Sequence, residues 1–254
     1  MLKIDNLTKT FGGKTAVDSL TLHVRPGELY GFIGHNGAGK STTIKAVCGL
    51  LTFDSGEISV CGHSVKREPM EVKRSVAYLP DNPNLYEFLT GIKYLNFIAD
   101  VYGVKADARR ERIRKYGDLF ELTGDLAQPV SAYSHGMKQK LALISALLHE
   151  PKVIIMDEPF VGLDPKASKA VKGIMRDICD AGGAIFFSTH VLEVAERLCD
   201  KIAVISRGKL VASGKMEDVL GQKSLENVFF ELEADSASEA ESGAGASAGA
   251  GALK

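Results

Sequence analysis

Apolar and polar positions alternate along residues 2 to 33, with Gly12-Gly13 and Pro26-Gly27 as turns, and Glu57 to Cys61 resumes the alternation. A period of two predicts half-buried strands, here a small antiparallel sheet lying against the rest of the molecule. The runs Val76 to Leu79, Val153 to Met156, Ala184 to Phe187 and Ile202 to Ile205 are continuously apolar, and helical patterns separate them downstream. Such runs predict parallel strands buried on both faces and joined by crossover helices. Pro80-Asp81-Asn82-Pro83 breaks the first run, and a helical stretch from about Gly91 to Glu150 follows. Within it Ile113, Tyr116, Leu119 and Phe120 keep helical spacing beside Arg109, Arg110, Arg112, Arg114 and Lys115, a basic cluster read as a solvated helix face. The fold class is therefore α/β: a parallel core, an antiparallel β subdomain, and an α-helical subdomain inserted over about 84 to 150. Asp235 to Lys254 is almost wholly Ala, Gly, Ser and acid. A disordered tail is expected there, because such a composition buries too little to offset its ordering entropy.

The apolar run Leu29 to Ile33 leads into Gly34-His35-Asn36-Gly37-Ala38-Gly39-Lys40-Ser41-Thr42. Its G-x-x-x-x-G-K-[ST] spacing lets the backbone curl so that successive N–H groups point at phosphate oxygens. Lys40 reaches the β- and γ-phosphates, and the Ser41 hydroxyl faces Mg²⁺. A helix expected to open near Lys40 adds the positive end of its dipole. This chemistry is that of a nucleoside triphosphate site.

The bulk numbers narrow the class further. A length of 254 residues suits one large α/β domain, and a net charge of -1 gives no field that would recruit nucleic acid or an acidic membrane surface. The longest apolar run, Leu141 to Leu148 apart from Ser145, is far short of the ~20 residues that span a bilayer, and the first residues read as a strand rather than an export signal. A cytoplasmic protein is expected. Cys48, Cys61, Cys179 and Cys199 are too scattered for a zinc site or disulfide frame and read as small buried hydrophobes.

Gly34, Asp157, Ser188 and His190 fall just past the carboxyl ends of predicted strands, where ligands of parallel sheets collect. In Val153-Ile154-Ile155-Met156-Asp157-Glu158-Pro159, Asp157 suits the Mg²⁺ shell and Glu158 the orientation or deprotonation of an attacking water. The plainer alternative makes both carboxylates caps of the next element. His190 is placed to meet the γ-phosphate or that water, against the plainer role of a structural histidine after a strand. Ser134 and Gly136, in Tyr133-Ser134-His135-Gly136-Met137 before a helical pattern from Lys138 to Leu148, form a second anion-binding element. A single ATP site inside one protomer hardly needs two.

These motifs, in this order over residues 1 to 232, resemble those of the ATP-binding subunits of ABC transporters. Gly34 to Thr42 resembles the Walker A loop, Val153 to Glu158 the Walker B strand, and Tyr133 to Met137 the signature motif, LSGGQ in its common form. Gly162-Leu163-Asp164 resembles the D-loop, and His190 the switch histidine. The resemblance implies a RecA-like P-loop NTPase core and an ATPase that uses Mg²⁺, with Lys40, Glu158 and His190 as its catalytic residues. Phe11 stands where the family stacks an aromatic on adenine, and Asp164 joins the nucleotide-binding set. Two ATP molecules are then sandwiched in a head-to-tail dimer of identical or similar subunits, which drives a separate membrane permease from its cytoplasmic face. Asp81 stands where the family has the Q-loop glutamine that ligates Mg²⁺; it keeps an oxygen for a hard cation but loses the amide donor. His135 and Met137 replace a glycine and the glutamine of the signature. With Asn84 to Gly91, these departures resemble the ABC-2 type exporter branch. Other readings are a soluble ABC-type ATPase of DNA repair or translation, whose coiled coil or second cassette the chain lacks, and a GTPase, whose N-K-x-D motif is absent.

Overall fold

The computed structural model describes residues 1 to 232, so the tail expected over 235 to 254 lies outside the described residues. In chain order the elements are β1 (Leu2–Phe11), β2 (Lys14–Val24), β3 (Leu29–Ile33), α1 (Lys40–Val47), β4 (Ser55–Val60), β5 (His63–Ser64), α2 (Pro69–Ser75) and β6 (Val76–Leu79). They continue with α3 (Gly91–Val101), α4 (Ala106–Leu119), α5 (His135–Leu147), β7 (Val153–Asp157), α6 (Pro165–Asp180), β8 (Ala184–Thr189) and α7 (Leu192–Leu198). Last come β9 (Lys201–Ser206), β10 (Lys209–Lys215), α8 (Met216–Leu220) and a helix over 225–232, here α9.

Two sheets form. The first, in order β2-β1-β4-β5, is antiparallel throughout. The second, in order β10-β9-β3-β8-β7-β6, is parallel except for the edge strand β10. Strand β3 is the one part of the alternating stretch 2 to 33 that leaves the antiparallel sheet. All five of its residues are buried, and it pairs with β8 and β9 in the parallel core.

The continuous apolar runs serve two cores at once. Leu29 and Ile33 of β3, Ile154 and Met156 of β7, and Ile185 and Phe187 of β8 pack among the helices. Their neighbours Tyr30, Phe32, Val153, Ile155 and Phe186 pack against α1 and the antiparallel sheet. A strand covered on both faces cannot show a polar side, which is why its sequence does not alternate. On the second face Phe186 sits between Phe32 and Tyr30, with ring centroids 5.3 and 6.0 Å away.

Helices α3, α4 and α5 lie between β6 and β7 in the chain. Two of the five basic residues on α4 are structural rather than solvated: Arg112 donates to the Leu148 carbonyl at 2.6 Å and pairs with Glu150, while Arg109 reaches Asp100 and the Val104 carbonyl. Arg110, Arg114 and Lys115 are the exposed members. Cys48, Cys179 and Cys199 are buried, Cys61 is half-buried, and all four are free thiols. Among the described residues no helix is long and apolar enough to cross a membrane.

Candidate nucleotide site

Strand β3 ends at Ile33, and the next six residues turn back over its carboxyl end before α1 opens at Lys40. Glycine is required at two of these positions. A Cβ on Gly34 would stand 2.5 Å from the Ile205 carbonyl oxygen, and one on Gly39, whose φ is +112°, would stand 2.5 Å from that of Ala16. The loop is thus pressed between β9 and β2, with no room for side chains on that side. Gly39 caps α1 without a side-chain acceptor, so the first amides of the helix stay free for an anion. Thr43 is fully buried and donates to the Gly39 carbonyl at 3.0 Å.

The loop walls a cavity of about 250 Å³ lined by His35, Asn36, Gly37, Gly39, Lys40, Ser41 and Thr42, by Asp81 after β6, by Asp157 and Glu158 at the end of β7, and by Ala16 of β2. Lys40 is 6 % exposed, and its ammonium donates to the carbonyls of Gly34 (2.5 Å) and His35 (3.2 Å). Burial pulls its pKa below the ordinary lysine value, and the Glu158 and Asp157 carboxylates act the other way.

Asp157 and Glu158 are held from the neighbouring strand. Asp157 stands opposite Ser188, whose hydroxyl donates to its carboxylate at 2.5 Å. The Glu158 N–H lies 3.2 Å from both the hydroxyl and the carbonyl of Ser188. Ser188 therefore lies inside β8 rather than past its end, and it positions both acids. Glu158 adopts φ +51°, a left-handed conformation costly for a residue with a Cβ; the two Ser188 contacts hold it there. Its Oε1 is buried and accepts no well-aligned hydrogen bond, with His190 Nδ1 at 2.9 Å and Lys40 Nζ at 3.8 Å. The His190 N–H faces the other oxygen, Oε2, at 3.4 Å.

The remaining predicted residues stand elsewhere. Phe11 ends β1 at the hairpin with Lys14; it is half-exposed, and the Lys9 ammonium lies 5.0 Å from its ring centroid. Ser134, Gly136 and Asp164 do not line the cavity, but the structure brings them to one another. Helix α5 opens at His135, three residues earlier than the pattern predicts, which makes Ser134 its cap: the hydroxyl accepts from the Met137 N–H at 3.2 Å. A Cβ on Gly136 would lie 3.1 Å from the Gly162 carbonyl, and one on Gly162 only 2.6 Å from the His135 ring. Asp164 caps α6 by accepting from the Ala167 N–H at 2.7 Å and pairs with Lys140 of α5, also at 2.7 Å; these two contacts, Lys140 first, hold its carboxyl below the usual range. The sequence pattern puts Ser188 at this edge but gives it no role, and it does not point to Ala16 at all. The signal for Ser188 was a hydroxyl at the end of the strand adjacent to the acidic pair.

Among the described residues no three His, Cys, Asp or Glu side chains cluster as metal ligands. The cavity is lined instead by the hydroxyls of Ser41 and Thr42 and the carboxylates of Asp81, Asp157 and Glu158, of which Ser41, Asp81 and Asp157 are the donors expected to face the metal. Hard oxygen donors in that number fit Mg²⁺, which keeps several waters and shares phosphate oxygens.

Known proteins fit this geometry. Residues 17–161 match the family described as ABC transporter. The chain is 37% identical over 238 residues to the uncharacterized ABC transporter ATP-binding protein YhcH of Bacillus subtilis, covering 93% of this chain and 76% of that one. Among solved structures, an ATP-binding subunit of an ABC transporter superposes with a TM-score of 0.88 at 36% identity, over 91% of this chain and 99% of that one. The ATP-binding cassette MJ0796, solved as a dimer in a post-hydrolysis state with ADP and Pi, shares the fold at a TM-score of 0.78 and 22% identity, over 85% and 99% of the two chains. Its RecA-like P-loop core, β subdomain and helical subdomain make this chain a member of the ABC transporter family, of the kind that binds and hydrolyses ATP.

Proposed function

We propose that this chain is the ATPase of an exporter: it binds ATP with Mg²⁺ at the loop 34–42, pairs head-to-tail with a second cassette, and drives a separate membrane permease from the cytoplasmic side. Residues 1 to 232 act as one ATPase unit, with the helices of 84 to 150 as its inserted part. The observation that carries the reading is Glu158 Oε1, a buried carboxylate oxygen with no well-aligned donor, set beside Lys40 and His190 at the mouth of a phosphate loop. An oxygen so placed is free to accept a proton from an attacking water.

Each residue then has a task. Lys40 and the amides of Gly37 to Thr42 hold the β- and γ-phosphates, and Phe11 flanks the adenine. Ser41, Asp157 and Asp81 would hold Mg²⁺, which neutralises phosphate charge when bound. Glu158 orients and deprotonates the water, and His190 holds Glu158 and meets the γ-phosphate. Ser134, Gly136 and Asp164 serve the ATP site of the second cassette, a copy of this chain or a similar ATPase; they sit off the cavity of their own chain and are tied into one unit. The dimeric state of MJ0796 supports that pairing. For the permease, residues 82 to 89 and α3 offer a surface that begins one residue after Asp81. Phe88 is 82 % exposed, and Tyr86 gathers Phe88, Tyr94 and Phe97 around it with centroids 5.5 to 6.2 Å apart. Exposed aromatics in a group mark an interface. The exporter branch rests on Asp81, His135, Met137 and the segment 84 to 91.

The Glu158→Gln variant tests the carrying observation. It keeps ATP affinity and loses at least ~10²-fold in steady-state hydrolysis, the lower range for a positioned general base. Turnover near that of the parent chain would remove Glu158 from the role. Purification from membranes tests the coupling: the parent chain comes down with a polytopic membrane protein, and recovery without one in every detergent tried would favour an uncoupled ATPase.

A further inference from the structure

The end of the described chain returns to the nucleotide site. Helix α9 buries Leu225 and Phe229, one turn apart, and leaves Phe230 exposed. Phe229 is 4 % exposed and meets the ring of His35 edge-on, with centroids 4.9 Å apart and planes at 70°. His35 belongs to the phosphate loop, and its carbonyl accepts both the Ala38 N–H at 3.1 Å and the Lys40 ammonium at 3.2 Å. At its other end α9 is fastened to α7: the Leu225 N–H donates to Glu196 Oε2 at 2.9 Å. Helix α7 opens two residues after His190. One helix thus touches both sides of the site, the loop that meets phosphate and the helix that follows the histidine. It lies outside the segment 17–161 matched by the family, and Phe229 is absent from the cavity lining.

We infer that Phe229 is a positioning residue for nucleotide binding: α9 braces the phosphate loop through the Phe229–His35 ring contact and ties its setting to α7 through Glu196. The inference rests on ATP binding at this loop. A loop whose amides must converge on phosphate loses affinity when the packing against one of its residues is loosened, because ordering it is then part of the binding free energy. An edge-to-face ring pair contributes enough to matter beyond the area it buries. Phe229 touches no reacting atom, so its removal changes how much ATP is bound and leaves the chemical step alone.

The experiment compares the parent chain with Phe229→Leu, which keeps an apolar side chain but removes the ring edge, and Glu196→Ala, which frees the start of α9 without touching Phe229. Affinity for a fluorescent ATP analogue is expected to fall about three- to tenfold in Phe229→Leu, the range of one aromatic pair, with KM raised to match and kcat within about twofold. Amide hydrogen exchange at residues 35 to 40, measured without nucleotide, should quicken in both variants. A lower unfolding midpoint with parental KM and parental exchange at the loop would make Phe229 ordinary core and overturn the inference. So would equal losses in KM and kcat, or parental exchange in Glu196→Ala if Phe229→Leu does not fold. Failure of the parent chain to bind the analogue would count against the ATP site itself, whereas exchange at 35 to 40 still reports the brace.

Discussion

At the scale of single residues, much of the site is written in the chain because phosphate chemistry allows few substitutes. The loop spacing and the carboxylates that close an apolar strand single out Gly39, Lys40, Ser41, Asp157 and Glu158, and all five meet at one cavity. The removal of one charge should be correspondingly severe. Lys40→Ala is expected to weaken ATP binding by about 10- to 100-fold, the range for losing a hydrogen bond to a charged group; equilibrium binding of a fluorescent analogue measures it, and affinity within twofold of the parent would exclude the contact. What spacing could not supply is the posture of Glu158. Its positive φ and the two contacts from Ser188 arise from the pairing of β7 with β8, a long-range relation that leaves only a hydroxyl in the sequence.

Elements were legible to the extent that their burial was one-sided or complete. Strands β1, β2 and β4 alternate, β6 to β9 are continuous apolar runs, and both patterns follow from how many faces are covered. The start of α5 was read three residues late because His135, Gly136 and Met137 carry no apolar periodicity; the cap at Ser134 rather than a hydrophobic stripe begins that helix. Its far end carries a different device. His149 stacks on Tyr102 with ring centroids 3.8 Å apart and reaches the Val76 carbonyl at 3.3 Å, so it joins α3, α5 and β6. Burial holds its pKa below the usual histidine value, with Arg112 acting in the same direction and the Val76 carbonyl against it. In the unfolded chain His149 takes a proton at higher pH than in the folded one. Between the usual value of ~6.5 and the lower folded value the unfolded state therefore binds more protons, and stability falls as pH falls through that window. Urea unfolding at pH 7 and pH 5 should show a drop in the midpoint that is smaller in His149→Gln; equal drops would place the titration elsewhere.

Over the whole molecule, the arrangement of two sheets and an inserted group of helices followed from the order of patterns, but the meeting of distant pieces did not. Phe229 lies in a stretch whose pattern gives no element, and nothing local says that its partner is His35, far away in the chain. The same holds for the approach of Gly136 to Gly162, where a side chain is missing from both partners. These contacts underlie a prediction about assembly. In a Glu158→Gln background, Mg-ATP is expected to yield a dimer by light scattering, and adding Ser134→Arg should abolish it while leaving ATP affinity within about twofold, because the phosphate loop of the same chain is untouched. A full ATP-dependent dimer in the double variant would rule out a role for Ser134 across the interface.

Helix α5 is pinned at its start by the Gly136–Gly162 approach and the Lys140–Asp164 pair, and two residues past its end by His149 on Val76. A rod held at both ends resists being tilted or pulled out, and the buried Leu141, Leu143, Ile144 and Leu147 along it resist turning as well. Helices α3 and α4 pack against that rod and share its buried core. The aromatic group around Tyr86 and the Ser134 cap are thus carried by one packed body, so neither shifts far without the other.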